Sequence, residues 1–221
     1  MTPAALLNAL VTADVALLGD AMRARGWRLA TAESCTGGLI AAACTEQAGS
    51  SDWFDCGFVS YSNAAKTALL GVDAALIAEH GAVSQAVARA MASGALARCN
   101  ANLAVAVTGV AGPTGGTAAK PVGTVWLAWA WRAADGTLAT DALCQRLPGD
   151  RAAVRQATVA LAVQGLLDRL ETLDIAAPPG PCTCCWPVTL ALPSAARGPP
   201  RCARRCRATP CTWRARLRSM R

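Results

Sequence analysis

The sequence is poor in the residue types from which many catalytic and metal sites are built. It contains one histidine, one tyrosine and only two lysines, Lys66 and Lys120, among 221 residues. The histidine count excludes histidine-rich metal sites, and any Ser-His-Asp triad would have to use His80. Because Gly81 follows this residue, we expect His80 to end a helix and to interact with its dipole rather than to act as a base.

Long apolar runs and a targeting segment are also missing. Hydrophobic residues make up 53% of the chain, but the longest apolar stretch covers only residues 122–131. About 18 consecutive apolar residues are needed to span a bilayer. The N-terminal segment has no basic region and reaches Asp14 early, unlike a signal peptide. We therefore expect a cytoplasmic protein that does not associate with a membrane.

The positive charge is concentrated at one end of the chain. Residues 176–221 contain nine arginines, six of the 11 cysteines and no acid, whereas residues 1–175 carry 12 basic and 14 acidic residues. The net charge of +7 therefore comes from the last segment, and the rest of the chain is slightly acidic. We interpret the chain as one globular domain, 1–175, followed by a tail, 176–221.

The composition of the tail is compatible with three interpretations. A zinc site is disfavoured, because the tail contains no Cys-x-x-Cys pair and no nearby histidine. An arginine-rich arm that binds nucleic acid is an alternative based on charge alone. A disordered segment, or a non-native one produced by a frameshift, fits the mixture of Arg, Pro, Cys and Trp best.

Helix and strand patterns alternate along residues 1–175. Helices are predicted at 4–25, after Gly38 to about 46, at 63–70, 73–79 and 84–98, and from about 150 to 173. Strands are predicted at 27–32, 56–61, 102–108, 122–131 and 138–147, the last two as a hairpin around residues 135–136. This order predicts an α/β fold, with three α/β/α layers around a mixed sheet.

Ser34 is the first candidate for chemistry. It lies where a predicted strand ends and a helix begins, and Thr36, Gly37 and Gly38 follow it. Backbone N–H groups at a helix start are free to bind an anion, and glycines let a substrate approach closely. A nucleophilic hydroxyl there would have an oxyanion or phosphate cradle beside it. Simple helix capping by Ser34 or Thr36 is the alternative that the spacing leaves open.

If His80 is not a base, an activated serine needs another one. Lys66 lies in the first turn of the predicted helix at 63–70, where the helix dipole and burial would both lower the pKa of its ammonium. A neutral lysine can accept a serine proton. Tyr61 could relay a proton or orient Ser34. A solvated lysine and a tyrosine with a wet hydroxyl at a strand end are the alternatives.

Two further groups could take part. Cys35 adjoins Ser34, but with no histidine placed to activate it we expect a buried structural thiol. A substrate phosphate could bind the Thr108–Gly112 loop and Arg151 or Arg155, since guanidinium groups suit phosphate. Surface or dimer contacts are the alternative for these two arginines.

Six segments together carry a resemblance to a known family. They are TAESCTGG at 31–38, AGSSDWF at 48–54, GFVSYSNAAK at 57–66, GAVS at 81–84, TGVAGP at 108–113 and KPVGTVW at 120–126. In this order they closely resemble the CinA C-terminal-domain family, the stand-alone nicotinamide-nucleotide amidases. The resemblance covers about residues 5–172.

The resemblance implies an α/β/α fold and hydrolysis of the carboxamide of nicotinamide mononucleotide. The family's nucleophilic serine falls on Ser34, and its lysine and tyrosine fall on Lys66 and Tyr61. It implies no metal or cofactor, and usually a homodimer. An oxyanion would be held near Gly37–Gly38 or Gly109–Val110. The candidate substrate-binding residues are Thr36, Gly37, Gly38, Asn63, Thr108, Gly109, Ala111, Gly112 and Arg151.

Two departures leave alternatives open. The nucleotide-processing domain that precedes this one in long CinA proteins is not in the sequence, so its activities are not expected, and the tail does not match the family. A catalytically silent domain that binds or regulates, and nucleic-acid binding through the tail, are the competing functions. The presence of Ser34, Lys66 and Tyr61 together favours an enzyme.

Overall fold

A computed structural model of the chain describes residues 2–133 and 135–172. The tail lies outside the described residues, and so do its predicted zinc, nucleic-acid and frameshift interpretations. The helices are α1 (Pro3–Arg25), α2 (Leu39–Thr45), α3 (Asn63–Leu70), α4 (Ala74–His80), α5 (Gln85–Leu96) and α6 (Arg151–Thr172). The strands are β1 (Leu29–Glu33), β2 (Phe54–Val59), β3 (Leu103–Gly109), β4 (Thr124–Arg132) and β5 (Leu138–Arg146).

The strands form one mixed sheet in the order β2-β1-β3-β4-β5. The first three are parallel to one another, while β4 and β5 form the predicted antiparallel hairpin. β2 was predicted at 56–61 but ends at Val59, so Ser60 and Tyr61 leave the sheet and are available to the site. The carboxyl ends of β1, β2 and β3 meet at one edge, where ligands bind in open α/β sheets.

Helices cover both faces of the sheet, which confirms the three-layer prediction. Bulky side chains such as Leu29 and Val105 join the core beneath α1, α2 and α6. The alternate residues of the same strands are alanines, such as Ala30 and Ala104, and they pack with α5 on the other face. Because successive strand side chains point to opposite faces, each strand serves two cores.

The first helix combines an apolar composition with one buried side. Within the described residues α1 is the one helix long and apolar enough to cross a membrane by length and composition alone. Its Val15, Leu18 and Met22 are buried in the core, and α1 packs along α6. Leu6, Leu10 and Leu17 stay exposed on the opposite side. Gly26 ends the helix in the left-handed region, with φ of +62°.

Candidate functional site

Ser34 is the first residue after β1, and its backbone is held on two sides. Its N–H donates to Val107 O at 3.1 Å, which extends the pairing of β1 with β3, and its carbonyl accepts from Gly37 N–H at 3.1 Å. The residue is 9% exposed. The turn therefore presents the Ser34 hydroxyl at the edge of the sheet without leaving it in open solvent.

Lys66 reaches the same edge from the next parallel strand. After β2, the Ser62 hydroxyl accepts from Ala65 N–H at 3.0 Å and caps α3, a type of contact that stabilises a helix by about 1 kcal/mol. Lys66 lies in the first turn of α3, as predicted, but its side chain is only 1% exposed. Its Nζ lies 3.0 Å from Ser34 Oγ and donates to Ser60 O at 2.9 Å.

Burial dominates the electrostatics of this amine. Removal from water lowers the pKa of Lys66, because the charged ammonium loses more solvation than the neutral amine; the nearby Cys35 thiol opposes the shift. Among the described residues no carboxylate forms an ion pair with Lys66. The surroundings therefore disfavour the charged ammonium relative to a lysine in water, and a neutral amine has a lone pair that can accept a proton.

Tyr61 makes no hydrogen bond to Ser34 among the described residues. Its side chain is exposed, and its hydroxyl accepts from Arg151 Nη2 at 2.9 Å. The same guanidinium donates through Nη1 to Gly112 O at 3.0 Å. Arg151 thus connects the segment after β2 with the loop after β3, while the O–H of Tyr61 is left to donate elsewhere.

Arg155 lies one turn further along α6 and supports the Ser34 turn. Its Nη2 donates to Thr36 O at 2.7 Å, and its Nε is buried without a partner among the described residues. Both arginines predicted as phosphate ligands therefore bind backbone carbonyls of the site. A guanidinium has five N–H donors, so each arginine keeps donors that could bind an anion.

Glu33 is a site residue that sequence reasoning missed. It is the last residue of β1, is completely buried and directs its carboxylate at the start of α2. Oε2 accepts from Gly38 and Ile40 N–H at 2.9 and 3.1 Å, and Oε1 accepts from Ala41 N–H at 2.8 Å. An acid between a predicted strand and a predicted helix start was the available signal.

The other predicted binding residues have varied surroundings. Asn63 is exposed as the first residue of α3, whereas Ala111 is buried in the core. Thr108 is buried, and its hydroxyl donates to Ala82 O at 2.8 Å. The Thr36 hydroxyl is buried without a partner among the described residues.

The predicted oxyanion donors are largely occupied. Gly37 N–H donates to Ser34 O, Gly38 N–H donates to Glu33, and Val110 N–H donates to Thr124 O. Gly109 pairs with Val125, next to this Val110 contact. Each predicted pair of oxyanion donors therefore contains at least one N–H group that already has an acceptor within the protein.

His80 and Cys35 have the surroundings that the sequence predicts. His80 is the last residue of α4, and Gly81 follows as its cap. Cys35 is 5% exposed, and burial raises the pKa of its thiol to about 11. Since the thiolate is the reactive form, a thiol that ionises near that pH is a poor nucleophile at neutral pH.

Curated relatives fall into two groups. A protein of Enterobacter agglomerans named nicotinamide-nucleotide amidohydrolase PncC is 51% identical over 150 residues, or 68% of this chain and 89% of that protein. One of the same name from Pseudomonas putida is 52% identical over 157 residues, or 71% and 95%. A CinA-like protein of Mycolicibacterium gilvum is 56% identical over 156 residues, 70% of this chain, which spans only 36% of that longer relative.

Solved structures and a family model agree with these relatives. The competence/damage inducible protein CihA of Agrobacterium tumefaciens is 44% identical, with a TM-score of 0.65 over 75% of this chain and 95% of that one. A CinA-superfamily protein of Klebsiella pneumoniae is 42% identical, with a TM-score of 0.66 over 75% and 98%. The model of the CinA C-terminal domain matches residues 12–170, and the chain therefore belongs to the CinA C-terminal-domain family.

Proposed function

We propose that this chain hydrolyses the carboxamide of nicotinamide mononucleotide to nicotinate mononucleotide and ammonia, a step of pyridine-nucleotide salvage. The observation that carries the proposal is the 3.0 Å contact between Ser34 Oγ and the buried amine of Lys66. The amidohydrolase names of relatives about 50% identical support the same reaction. A nucleophile beside a neutral base is what acyl transfer from an amide requires.

The proposed chemistry has two stages. In the first, neutral Lys66 accepts the Ser34 proton while Oγ forms a bond to the amide carbon. The Tyr61 hydroxyl then gives its proton to the amide nitrogen and takes the proton from Lys66 in exchange. The C–N bond breaks, ammonia leaves, and an acyl-enzyme remains. In the second, water attacks the ester carbon, its proton is taken by Lys66, and the Ser34 oxygen leaves as a hydroxyl with that proton.

Groups around the dyad have proposed supporting roles. Tyr61 is held by Arg151 with its own O–H free, so it can donate to the departing nitrogen. Remaining N–H groups of Arg151, together with the loop 108–112, would bind the substrate phosphate; Thr36, Gly37, Gly38 and Asn63 would line the substrate. We further propose a cytoplasmic homodimer that needs no metal or cofactor.

The test is ammonia release from nicotinamide mononucleotide by the purified chain, with Ser34→Ala and Lys66→Ala. Both substitutions should lower kcat by more than about 1000-fold with little change in KM, because nucleophile and base act in the transition state. Lys120→Ala is the matched control, because it removes the other lysine of the chain. The Lys120 amine lies in the loop after β3 and donates to His80 O. Near-full turnover in Lys66→Ala would overturn the assignment of the base.

A catalytically silent binding domain is the competing function. It predicts that nicotinamide mononucleotide binds, as measured by calorimetry, while no ammonia forms. Nucleic-acid binding through the tail is a third possible function, and truncation after residue 175 tests it. Salt-sensitive DNA binding that disappears with the tail, while amidase activity survives, would make the tail an independent module.

A further inference from the structure

The carboxylate of Glu33 lies at the junction of the two elements that position the dyad. Its two oxygens accept three backbone N–H groups, those of Gly38, Ile40 and Ala41, at 2.8 to 3.1 Å. Glu33 is 0% exposed, and no arginine or lysine pairs with it among the described residues. A buried charge is stable only when it is well hydrogen-bonded, and here backbone amides supply those bonds.

The Glu33 backbone is connected to the other half of the dyad. Its carbonyl accepts from Ser60 N–H at 2.8 Å, and the carbonyl of Ser60 accepts from Lys66 Nζ at 2.9 Å. The residue after Glu33 is Ser34 itself. Glu33 therefore fixes the start of α2 through its side chain. Through its main chain it also holds the end of β2, including Ser60, whose carbonyl accepts from Lys66.

The side chain also closes the nucleophile turn. Residues 34–38 have to reverse direction between β1 and α2, and Gly38 does so in the left-handed region, with φ of +98°. Gly38 makes no side-chain cap for α2. The Glu33 side chain, at the end of β1, supplies the missing cap. Its carboxylate therefore joins the strand end of the turn to the helix end. The contacts also occupy Gly38, Ile40 and Ala41 N–H, so these cannot hold an oxyanion while Glu33 is in place.

We propose that Glu33 is a positioning residue for the reaction: its carboxylate holds the turn between β1 and α2 so that Ser34 Oγ stays in contact with Lys66 Nζ. The inference deepens the proposed function and rests on it for its kinetic part. Glu33 touches neither reacting atoms nor solvent. Its effect on catalysis passes entirely through the geometry of Ser34.

The test substitutes Glu33→Gln. Glutamine keeps the volume and one oxygen, which can still accept from Gly38 and Ile40, but its NH2 group then faces Ala41 N–H, donor against donor. A displacement of about 1 Å costs about 100-fold in rate, so kcat should fall by about that factor while KM stays within about threefold. The crystal structure of the variant should show a longer Ser34 Oγ–Lys66 Nζ distance, and amides 38–41 should exchange hydrogen faster.

Two matched controls separate positioning from stability. Asp73→Ala removes a carboxylate that caps another helix, through Ala75 N–H at 2.9 Å, and Val163→Ala opens a cavity in the core beneath α6. Both should lower the melting temperature and leave kcat near wild type. Equal losses of kcat in Val163→Ala and Glu33→Gln at equal melting temperature would overturn the proposal.

The Ser34–Lys66 distance and the hydrogen exchange of Glu33→Gln test the positioning role without any substrate. If wild-type protein releases no ammonia from nicotinamide mononucleotide, the proposed function fails, yet the positioning role still predicts a longer dyad distance and faster exchange in Glu33→Gln. An unchanged distance with unchanged exchange would overturn the positioning role even in an active enzyme.

Discussion

Lys66 Nζ donates to the carbonyl oxygen of Ser60, six residues earlier in the chain, at 2.9 Å. This contact anchors the amine at the end of β2, where Nζ also lies 3.0 Å from Ser34 Oγ. In the proposed mechanism a neutral amine that donates to Ser60 keeps its lone pair for the Ser34 proton, so the protonation state of Lys66 is the quantity to measure.

Activity should rise with pH as Lys66 loses its proton. Burial lowers the pKa of Lys66 below its ordinary 10.5, so the rise in kcat/KM should have its midpoint below that value. Steady-state rates between pH 6 and pH 10.5 check this. A profile that falls with rising pH over the whole range would contradict a lysine base.

The same shift predicts how stability depends on pH. Because the pKa of Lys66 is lower in the folded state, the unfolded chain binds more protons between that lowered pKa and 10.5, and stability should rise with pH in this window. The slope is at most about 1.4 kcal/mol per pH unit.

Lys66→Met should remove this part of the slope. Urea unfolding of both proteins at several pH values measures it, with Lys120→Met as the control for loss of a lysine. Below the folded-state pKa the difference between wild type and variant should be constant. Parallel stability curves up to pH 10.5 would show that folding does not change the protonation of Lys66.

Tyr61→Phe tests the proposed proton donor. The hydroxyl is exposed and bonded to Arg151, so its removal should change the free energy of unfolding by less than about 0.5 kcal/mol. A group that donates to the leaving nitrogen contributes about 100-fold or more, so kcat should fall by that order while KM changes little. A rise in KM alone, with kcat unchanged, would assign Tyr61 to binding through Arg151.

Alkylation of the exposed thiols should not inactivate the protein. Burial raises the pKa of Cys35 to about 11, whereas Cys144 is exposed on β5. Iodoacetamide at neutral pH should modify Cys144 well before Cys35, without loss of activity, and peptide mass spectrometry can follow both. Inactivation in step with labelling of Cys35, absent in Cys35→Ala, would indicate a thiol role instead.

Much of the fold was predictable because local signals agree with the tertiary structure. The apolar period of α1 and the turn at 135–136 each specify an element whose bounds the structure confirms within a few residues. The predicted end of β2 was wrong by two residues: its partner strand β1 ends at Glu33, and the bond from Ser60 N–H to Glu33 O is the last contact between the two strands. A hydrophobic pattern contains no information on that contact.

The site was predictable in its residue types but not in its connections. Lys66 was singled out by its place in a first turn, yet its near-complete burial depends on tertiary packing that no local pattern describes. Glu33 looked like any acid beside a helix start. The contact of Arg155 with Thr36 joins residues 119 positions apart, and only the packing of α6 brings them together.

The two arginines of α6 have a consequence for the nascent protein. Arg151 and Arg155 belong to the last helix that the structure describes, and they tether the loops around Gly112 and Thr36. A ribosome that has completed the five strands that the structure describes has therefore made a polypeptide in which the loops around Gly112 and Thr36 still lack these hydrogen bonds. Competence for turnover should appear only when α6 emerges and docks, so synthesis itself times the onset of activity.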